Sequence, residues 1–319
     1  MRILITGATG MVGQALVAHL TQKPHVIIRA ALRKDVGYFP SQVEKAITGD
    51  LCSNTTLWKE ALRGVDAVIH AAARVHHMRD RADDPSKEFC HVNAQGTRRL
   101  AEYAASSGVR RFIFLSSIKV NGEETQTGSS FTPHDIPNPH DPYGVSKWYA
   151  EQALADMAHK AGMAYTIIRP PLIYGPGVKG NFASLMHWIG KGIPLPFGAI
   201  HHNRRSLVAL DNLIDLIITC LHHPGAVNET FLVSDNEDLS TTDLLHRTAY
   251  AMKVRARLIP LPNSFLRAAA TILGKAPMYQ KLCSSLQVDI EKTQRALGWS
   301  PPITIDEGLH RAVRYFSYS

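Results

Sequence analysis

Met1-Arg2-Ile3-Leu4-Ile5-Thr6-Gly7-Ala8-Thr9-Gly10-Met11-Val12-Gly13 decides the fold of this 319-residue chain. Arg2 to Thr6 reads as a strand. Three glycines then follow at a spacing of three, and Met11 to Thr21 takes up helical spacing that stops before Pro24. Glycine permits a tight turn and lets backbone N–H groups approach a pyrophosphate, and the helix N-terminus adds the positive end of its dipole. An ordinary tight βα turn is the alternative for a lone glycine triplet, and the position at the very start of a β-α-β pattern favours the dinucleotide. Gly7, Thr9, Gly10, Met11, Val12 and Gly13 are therefore expected to hold a dinucleotide. The glycines, and the lack of a cleavage-type sequence after them, also argue against reading the first residues as a secretory leader.

Outward from that turn the alternation continues. His25–Leu32, Ala67–His70, Arg111–Leu115 and Ala164–Arg169 read as strands. Ser53 or Asn54 is placed as the cap of a helix running to Gly64. Ser86–Ser107 reads as one long helix ended by Gly108. This pattern predicts an α/β protein with a doubly wound parallel sheet of the Rossmann type, covered by helices on both faces. After Pro170-Pro171 the pattern changes. Gly, Pro and His become frequent, Asp211–His222 and Asn263–Leu273 look helical, Thr230–Ser234 looks like a strand, and Ser240 with Asp243 resembles a capping box. Residues 1–170 are expected to form the dinucleotide-binding domain, with 206–224 returning to it. Residues 171–205 and 225–319 are expected to form a smaller mixed C-terminal substrate domain over the carboxyl edge of the sheet.

The apolar share of 45% suits a globular core, and the net charge is +8. Such a surplus attracts anions, but its dense groups are only Arg98-Arg99, Arg110-Arg111 and Arg204-Arg205, so no nucleic-acid partner is expected. The four cysteines, Cys52, Cys90, Cys220 and Cys283, form no CxxC, and reduced thiols in a cytoplasmic protein are expected. The histidine pairs 76–77, 201–202 and 222–223 lack ligand spacing and a carboxylate partner, so no metal is expected. No apolar run is long enough to span a bilayer; the apolar Phe265–Leu273 reads first as a lid or core helix, with membrane contact as the alternative.

The end of the second strand bears on cofactor type. A carboxylate there holds a ribose 2′-hydroxyl and favours NAD, whereas an arginine accommodates the 2′-phosphate of NADP. Arg33 and Lys34 favour NADP(H), and NAD(H) through Asp35 is the alternative. Further on, Asp141-Pro142-Tyr143-Gly144-Val145-Ser146-Lys147 opens a helix, with Asp141 as N-cap and Pro142 as its first residue. Tyr143 and Lys147 then share a face. An ammonium beside a phenol is expected to lower its pKa from about 10 and let it exchange protons near neutrality. Ser116-Ser117, at the carboxyl end of Arg111–Leu115, offers a hydroxyl to the same substrate oxygen.

Together with Gly49-Asp50-Leu51, His70-Ala71-Ala72-Ala73, Asn93, Leu115-Ser116-Ser117 and Arg169-Pro170-Pro171, these pieces resemble an extended short-chain dehydrogenase/reductase. The resemblance is to the group of sugar-nucleotide epimerases, dehydratases and reductases. It makes Tyr143 the acid/base, Lys147 its tuner and a nicotinamide-ribose contact, and Ser117 the residue that orients the reacting oxygen. It also places Asp50, Leu51, Ala71, Ala72, Ala73, Asn93 and Pro170 by the cofactor. Ser117, Arg74, Lys119, Asn181, Phe182 and Arg205 would lie by a nucleotide sugar, with Arg205 facing the diphosphate. Relatives that dehydrate carry an Asp-Glu pair where this chain has Ile118-Lys119, so dehydration is not expected. The strings 73–80, 116–122 and 203–208 are similar to a bacterial subgroup of surface-polysaccharide synthesis. That subgroup includes 4-reductases that yield UDP-N-acetylquinovosamine. The expectation is NAD(P)H-dependent reduction of the C4 ketone of a UDP-4-keto-6-deoxy-N-acetylhexosamine. A UDP-hexose or UDP-N-acetylhexosamine 4-epimerase with retained NAD is the alternative, and a non-catalytic NADP sensor the remote one. The galactose epimerases' second phosphate-binding arginine has no clear counterpart near 279–282, where Lys281 or Lys275 is the substitute. The resemblance also implies a homodimer through the helices at 86–107 and 143–161.

Overall fold

The computed structural model describes residues 1–36, 39–52, 57–75, 84–126, 128–274 and 276–317. Ten strands are seen among them: β1 (Arg2–Thr6), β2 (Ile27–Leu32), β3 (Val43–Ile47), β4 (Ala67–His70), β5 (Arg111–Leu115), β6 (Ala164–Arg169), β7 (Leu172–Tyr174), β8 (Arg205–Ala209), β9 (Glu229–Leu232) and β10 (Asp238–Leu239). Seven of them pair in parallel in the order β3-β2-β1-β4-β5-β6-β9. The order reverses direction between β1 and β4, which opens a crevice over their carboxyl ends.

The helices are α1 (Met11–Leu20), α2 (Leu57–Ala61), α3 (Pro85–Phe89), α4 (Gly96–Ser106), α5 (Pro142–Ala161), α6 (Asn181–Gly190), α7 (Leu210–His222), α8 (Thr241–Ala251), α9 (Asn263–Ile272), α10 (Ala276–Cys283), α11 (Glu291–Leu297) and α12 (Ile305–Ser317). Successive side chains of a strand point to opposite faces. Ile3 and Ile5 accordingly pack with Leu16 of α1 and Leu213 of α7, while Leu4 packs with Leu100 of α4 and Leu154 of α5. Both faces are thus covered, which is why the inner strands read as continuous apolar runs and not as alternating ones.

A three-stranded sheet, β10-β8-β7, carries the second part, with β7 parallel and β10 antiparallel to β8. Its core gathers Tyr174, Phe182, Met186, Leu207 and Leu309.

The structure departs from the sequence expectation in three places. The long helix over Ser86–Ser107 is broken into α3, a π-helical turn at Cys90–Gln95, and α4. There Thr97 Oγ1 donates to the Asn93 carbonyl at 2.6 Å, and the Asn93 amide is held by other segments. The strand expected at 230–234 appears as β9 at the edge of the main sheet, beyond the boundary assigned at residue 225. β3 was not anticipated. It is the other edge strand, and its Glu44 and Lys45 pair outward with Arg29 and Asp35. The cap expected at Ser53 or Asn54 lies outside the described residues, as do His76, His77 and most of the 73–80 string, and Lys275.

Candidate active site

The glycine turn is built so that no side chain fits it. A Cβ on Gly13 would lie 2.1 Å from the Gly7 carbonyl oxygen, and one on Gly7 would lie 2.7 Å from the Ala72 nitrogen. Gly7 also has φ +68°, in the left-handed region. Thr6 fastens the turn to the end of β4. Its hydroxyl accepts from the Ala72 N–H at 3.2 Å and lies 2.6 Å from His70 Nδ1. Gly13→Ala is expected to cost about 3 kcal/mol in urea unfolding, because backbone must move to admit the methyl group.

α1 begins at Gly10 with no side-chain cap and no acidic residue in its first turn. α5 and α8, in contrast, are capped by Asp141 and Ser240. The donor set at Met11 and Val12 therefore suits an anion. Thr9 and Met11 line a cavity of about 630 Å³ closed by Gly175–Lys179, Leu210 and Tyr315. At the end of β2, Arg33 and Lys34 are exposed, while Asp35 pairs with Lys45 at 3.1 Å. Asp50 accepts from the Cys52 N–H at 2.9 Å, and Leu51 packs on the helical Gly96. The turn, the uncapped helix and the basic strand end together fit a nicotinamide dinucleotide.

The second cluster forms where β5 and α5 meet. Asp141 caps α5 by accepting from the Gly144 N–H at 2.6 Å, with Pro142 as first helical residue. That cap sets Tyr143 and Lys147 one turn apart. Ser117 follows β5 and its hydroxyl hydrogen-bonds Tyr143. Burial pushes the Tyr143 phenol up to about 12; the nearby Asp141 charge adds to this and the Ser117 hydrogen bond opposes it. Burial pulls the Lys147 ammonium down to about 7 against the charge of Glu151. Lys147 is 1% exposed, with Nζ 4.2 Å from the centre of the Phe114 ring. The expectation of a lowered tyrosine pKa is thus reversed in the protein alone, because burial and the Asp141 charge outweigh the Ser117 hydrogen bond.

Lys147 in the unfolded chain keeps its proton up to about 10.5. The folded chain therefore binds fewer protons between about 7 and 10.5, and stability rises with pH across that window. The burden is fully present below it. Lys147→Met is expected to raise Tm over the parent most at pH 6, with the gain shrinking toward pH 10.

Other predicted residues are placed differently. Asn93 holds the Arg74 backbone from both sides, at 2.8 and 3.1 Å, and donates to Ser146 Oγ at 2.9 Å. It ties the segment after β4 to α5 and offers no free amide. Arg74 lies 3.8 Å from Glu88 and over the Phe89 ring. Lys119 pairs with Asp141 and, at 3.1 Å, with Glu123, which hold its ammonium above the usual range in spite of burial. Ala71–Ala73 follow β4 beside the turn. Pro170 is buried, its carbonyl accepting from the Ile118 N–H at 2.9 Å. On the second sheet, Arg205 donates to the Ser284 carbonyl at 3.0 Å. Asn181 is exposed at the start of α6, but the Phe182 ring is 3% exposed in the core against Tyr174, so its side chain is no ligand contact.

Sequence reading missed one pair that supports the site. Arg169 grips Glu151 with two nitrogens, at 3.0 and 2.6 Å, and Asn121 with a third at 2.9 Å. Ser116 donates to the same carboxylate. The signal was present in the spacing: Tyr143, Lys147 and Glu151 recur every four residues along one face of α5.

Among the described residues no helix is long and apolar enough to cross a membrane, and no cluster of three or more His, Cys, Asp or Glu is placed to hold a metal. The model of the NAD dependent epimerase/dehydratase family matches residues 3–234. A UDP-glucose 4-epimerase from Vibrio cholerae is 44% identical over 314 residues, covering 98% of this chain and 95% of the relative. An N-acetyl-alpha-D-glucosaminyl-diphospho-ditrans,octacis-undecaprenol 4-epimerase from Escherichia coli O157:H7 is 29% identical, covering 98% of this chain and 94% of the relative. The crystal structure of UDP-glucuronic acid 4-epimerase from Bacillus cereus in complex with NAD has the same fold. Its TM-score is 0.80 at 20% identity, covering 100% of this chain and 99% of that one. The chain belongs to the NAD dependent epimerase/dehydratase family, a group of extended short-chain dehydrogenase/reductase enzymes.

Proposed function

We propose that this chain is a UDP-hexose or UDP-N-acetylhexosamine 4-epimerase that retains its nicotinamide dinucleotide through the reaction. The observation that carries this reading is the 44% identity, over nearly the whole chain, with a UDP-glucose 4-epimerase. The grouping of Ser117, Tyr143 and Lys147 supports it.

The dinucleotide, when bound, accepts a hydride from the sugar C4 and returns it. Gly7, Thr9, Gly10, Met11, Val12 and Gly13 bind its pyrophosphate through backbone donors. Asp50 and Leu51 lie by its adenine end, and Ala71–Ala73 and Pro170 by its nicotinamide end. Ser117 orients the C4 oxygen. Tyr143, after losing its own proton to solvent, takes the proton of the 4-hydroxyl as a phenolate and returns it, and the positive charge of protonated Lys147 one turn away favours that phenolate. Arg205 and Asn181 face the nucleotide diphosphate. Lys119, held by two carboxylates, supplies neither acid nor base for dehydration. The test follows UDP-glucose and UDP-N-acetylglucosamine by NMR with purified protein and no added cofactor. Appearance of the C4 epimer supports the reading, and none with either sugar refutes it.

One observation favours the expected 4-reductase as a second reading. Arg33 and Lys34 are exposed where a 2′-phosphate would sit, and Asp35 is engaged by Lys45. These charges suit an exchanging NADPH. Arg33→Glu with Lys34→Ser is expected to weaken NADPH about tenfold or more against NADH. Unchanged discrimination in a fluorescence titration would remove this support. A homodimer through α4 and α5 belongs to the same proposal: Tyr149 on α5 is 54% exposed. Tyr149→Glu is expected to shift the sedimentation coefficient toward a monomer.

A further inference from the structure

The second part of the chain carries charge and apolar surface that the reaction does not use. Between Asp243 and Asp289 there is no Asp or Glu, yet seven Lys or Arg lie between Arg247 and Lys281. Nearly all of the chain's +8 is therefore concentrated there. Arg247 pairs with Glu237 and Asp306. Among the described residues Lys253, Arg255, Arg257, Arg267 and Lys281 are exposed and form no ion pair.

These cations lie on the segments that build one small lobe. Ala256, Leu258, Leu266 and Leu282 point into a shared core with Leu195 and Leu245. Arg255 and Arg257 alternate with those inward residues and so face out. α9 sits on the same lobe with Leu266 turned inward. Phe265 and Ile272, seven residues apart on its other face, are 60% and 85% exposed, and Leu273 beyond its end is 68% exposed. Three large apolar side chains exposed on and just beyond a helix already packed from beneath, in a segment rich in unpaired cations, match the face of an interfacial helix.

We propose that this lobe docks on an anionic lipid bilayer, with α9 lying in the interface. Phe265, Ile272 and Leu273 enter the acyl boundary, and the five unpaired cations meet the headgroup charge. Charge complementarity selects this occupant: a second copy of the chain would bring the same cations face to face. The inference stands apart from the reaction proposed above: of its residues only Lys281 is also a candidate phosphate contact, and the variant tested below leaves Lys281 in place.

The test is sedimentation of the purified full chain with two kinds of vesicle, phosphatidylcholine alone and phosphatidylcholine mixed equally with phosphatidylglycerol. Binding to the mixed vesicles only, falling with added salt, is expected. The triple variant Phe265→Glu, Ile272→Glu, Leu273→Glu is expected to bind them at least about tenfold more weakly. Its solution activity is expected to be unchanged, since those side chains project from the surface. No binding to mixed vesicles, or equal binding by the variant, overturns the proposal. So does a wild type that self-associates through this face without binding lipid.

Discussion

Tyr143→Phe is expected to lower kcat by about 10²- to 10⁴-fold, the range that a positioned proton donor contributes. The ring is half-buried and meets the Phe89 ring edge-on, and the hydroxyl bonds Ser117, so losing the oxygen leaves the packing in place. Substrate affinity and cofactor retention are expected to change little, because neither the glycine turn nor Arg205 is touched. A variant with parental kcat would remove Tyr143 from the reaction. A variant that fails to retain dinucleotide would mean that the phenol serves binding instead.

Arg169→Met is expected to destabilise the fold by about 3–5 kcal/mol. Arg169 and Glu151 are 5% and 2% exposed in their side chains, so removing the guanidinium strands a carboxylate in the core. The double variant Arg169→Met with Glu151→Leu is expected to recover much of the loss, because no buried charge remains unpaired. Its activity is expected to stay low. Glu151 lies one turn beyond Lys147 and raises that amine's affinity for its proton, so the pair also holds the charge that assists Tyr143. Urea unfolding of the single and double variants checks the energetics. Additive losses would contradict the coupling.

Legibility in the sequence follows the range of the forces involved. The β1–turn–α1 unit is local: glycines that exclude a side chain, an apolar run and a helical period lie within about 20 residues, and the structure has all three in place. The cap of α5 is equally local, and Asp141, Pro142 and the Tyr143–Lys147 spacing stand as the sequence implies. Long-range facts were hidden. Within the π-helical turn Asn93 is pinned by Arg74 and Ser146, residues 19 and 53 positions away. The reversed pKa of Tyr143 comes from burial, a property of the assembled fold, whereas the Tyr–Lys spacing alone implied the opposite sign. Phe182 looked like a ligand contact by its place in a motif, but packing turned it into the core. The pairing of Lys119 with Asp141, 22 residues on, is equally long-range.

The difference between borrowing a hydride and delivering one is directly measurable. UDP-glucose carrying deuterium at C4 is incubated with the purified protein without added cofactor, and the product is read by NMR and mass spectrometry. With UDP-N-acetylglucosamine labelled likewise as the second substrate, the C4 epimer is predicted to retain the deuterium, because the same nucleus leaves and returns while Tyr143 handles only the exchangeable proton. Product that has lost the label, or no epimer from either sugar alongside consumption of NADPH with a UDP-4-keto-6-deoxy sugar, would contradict the account.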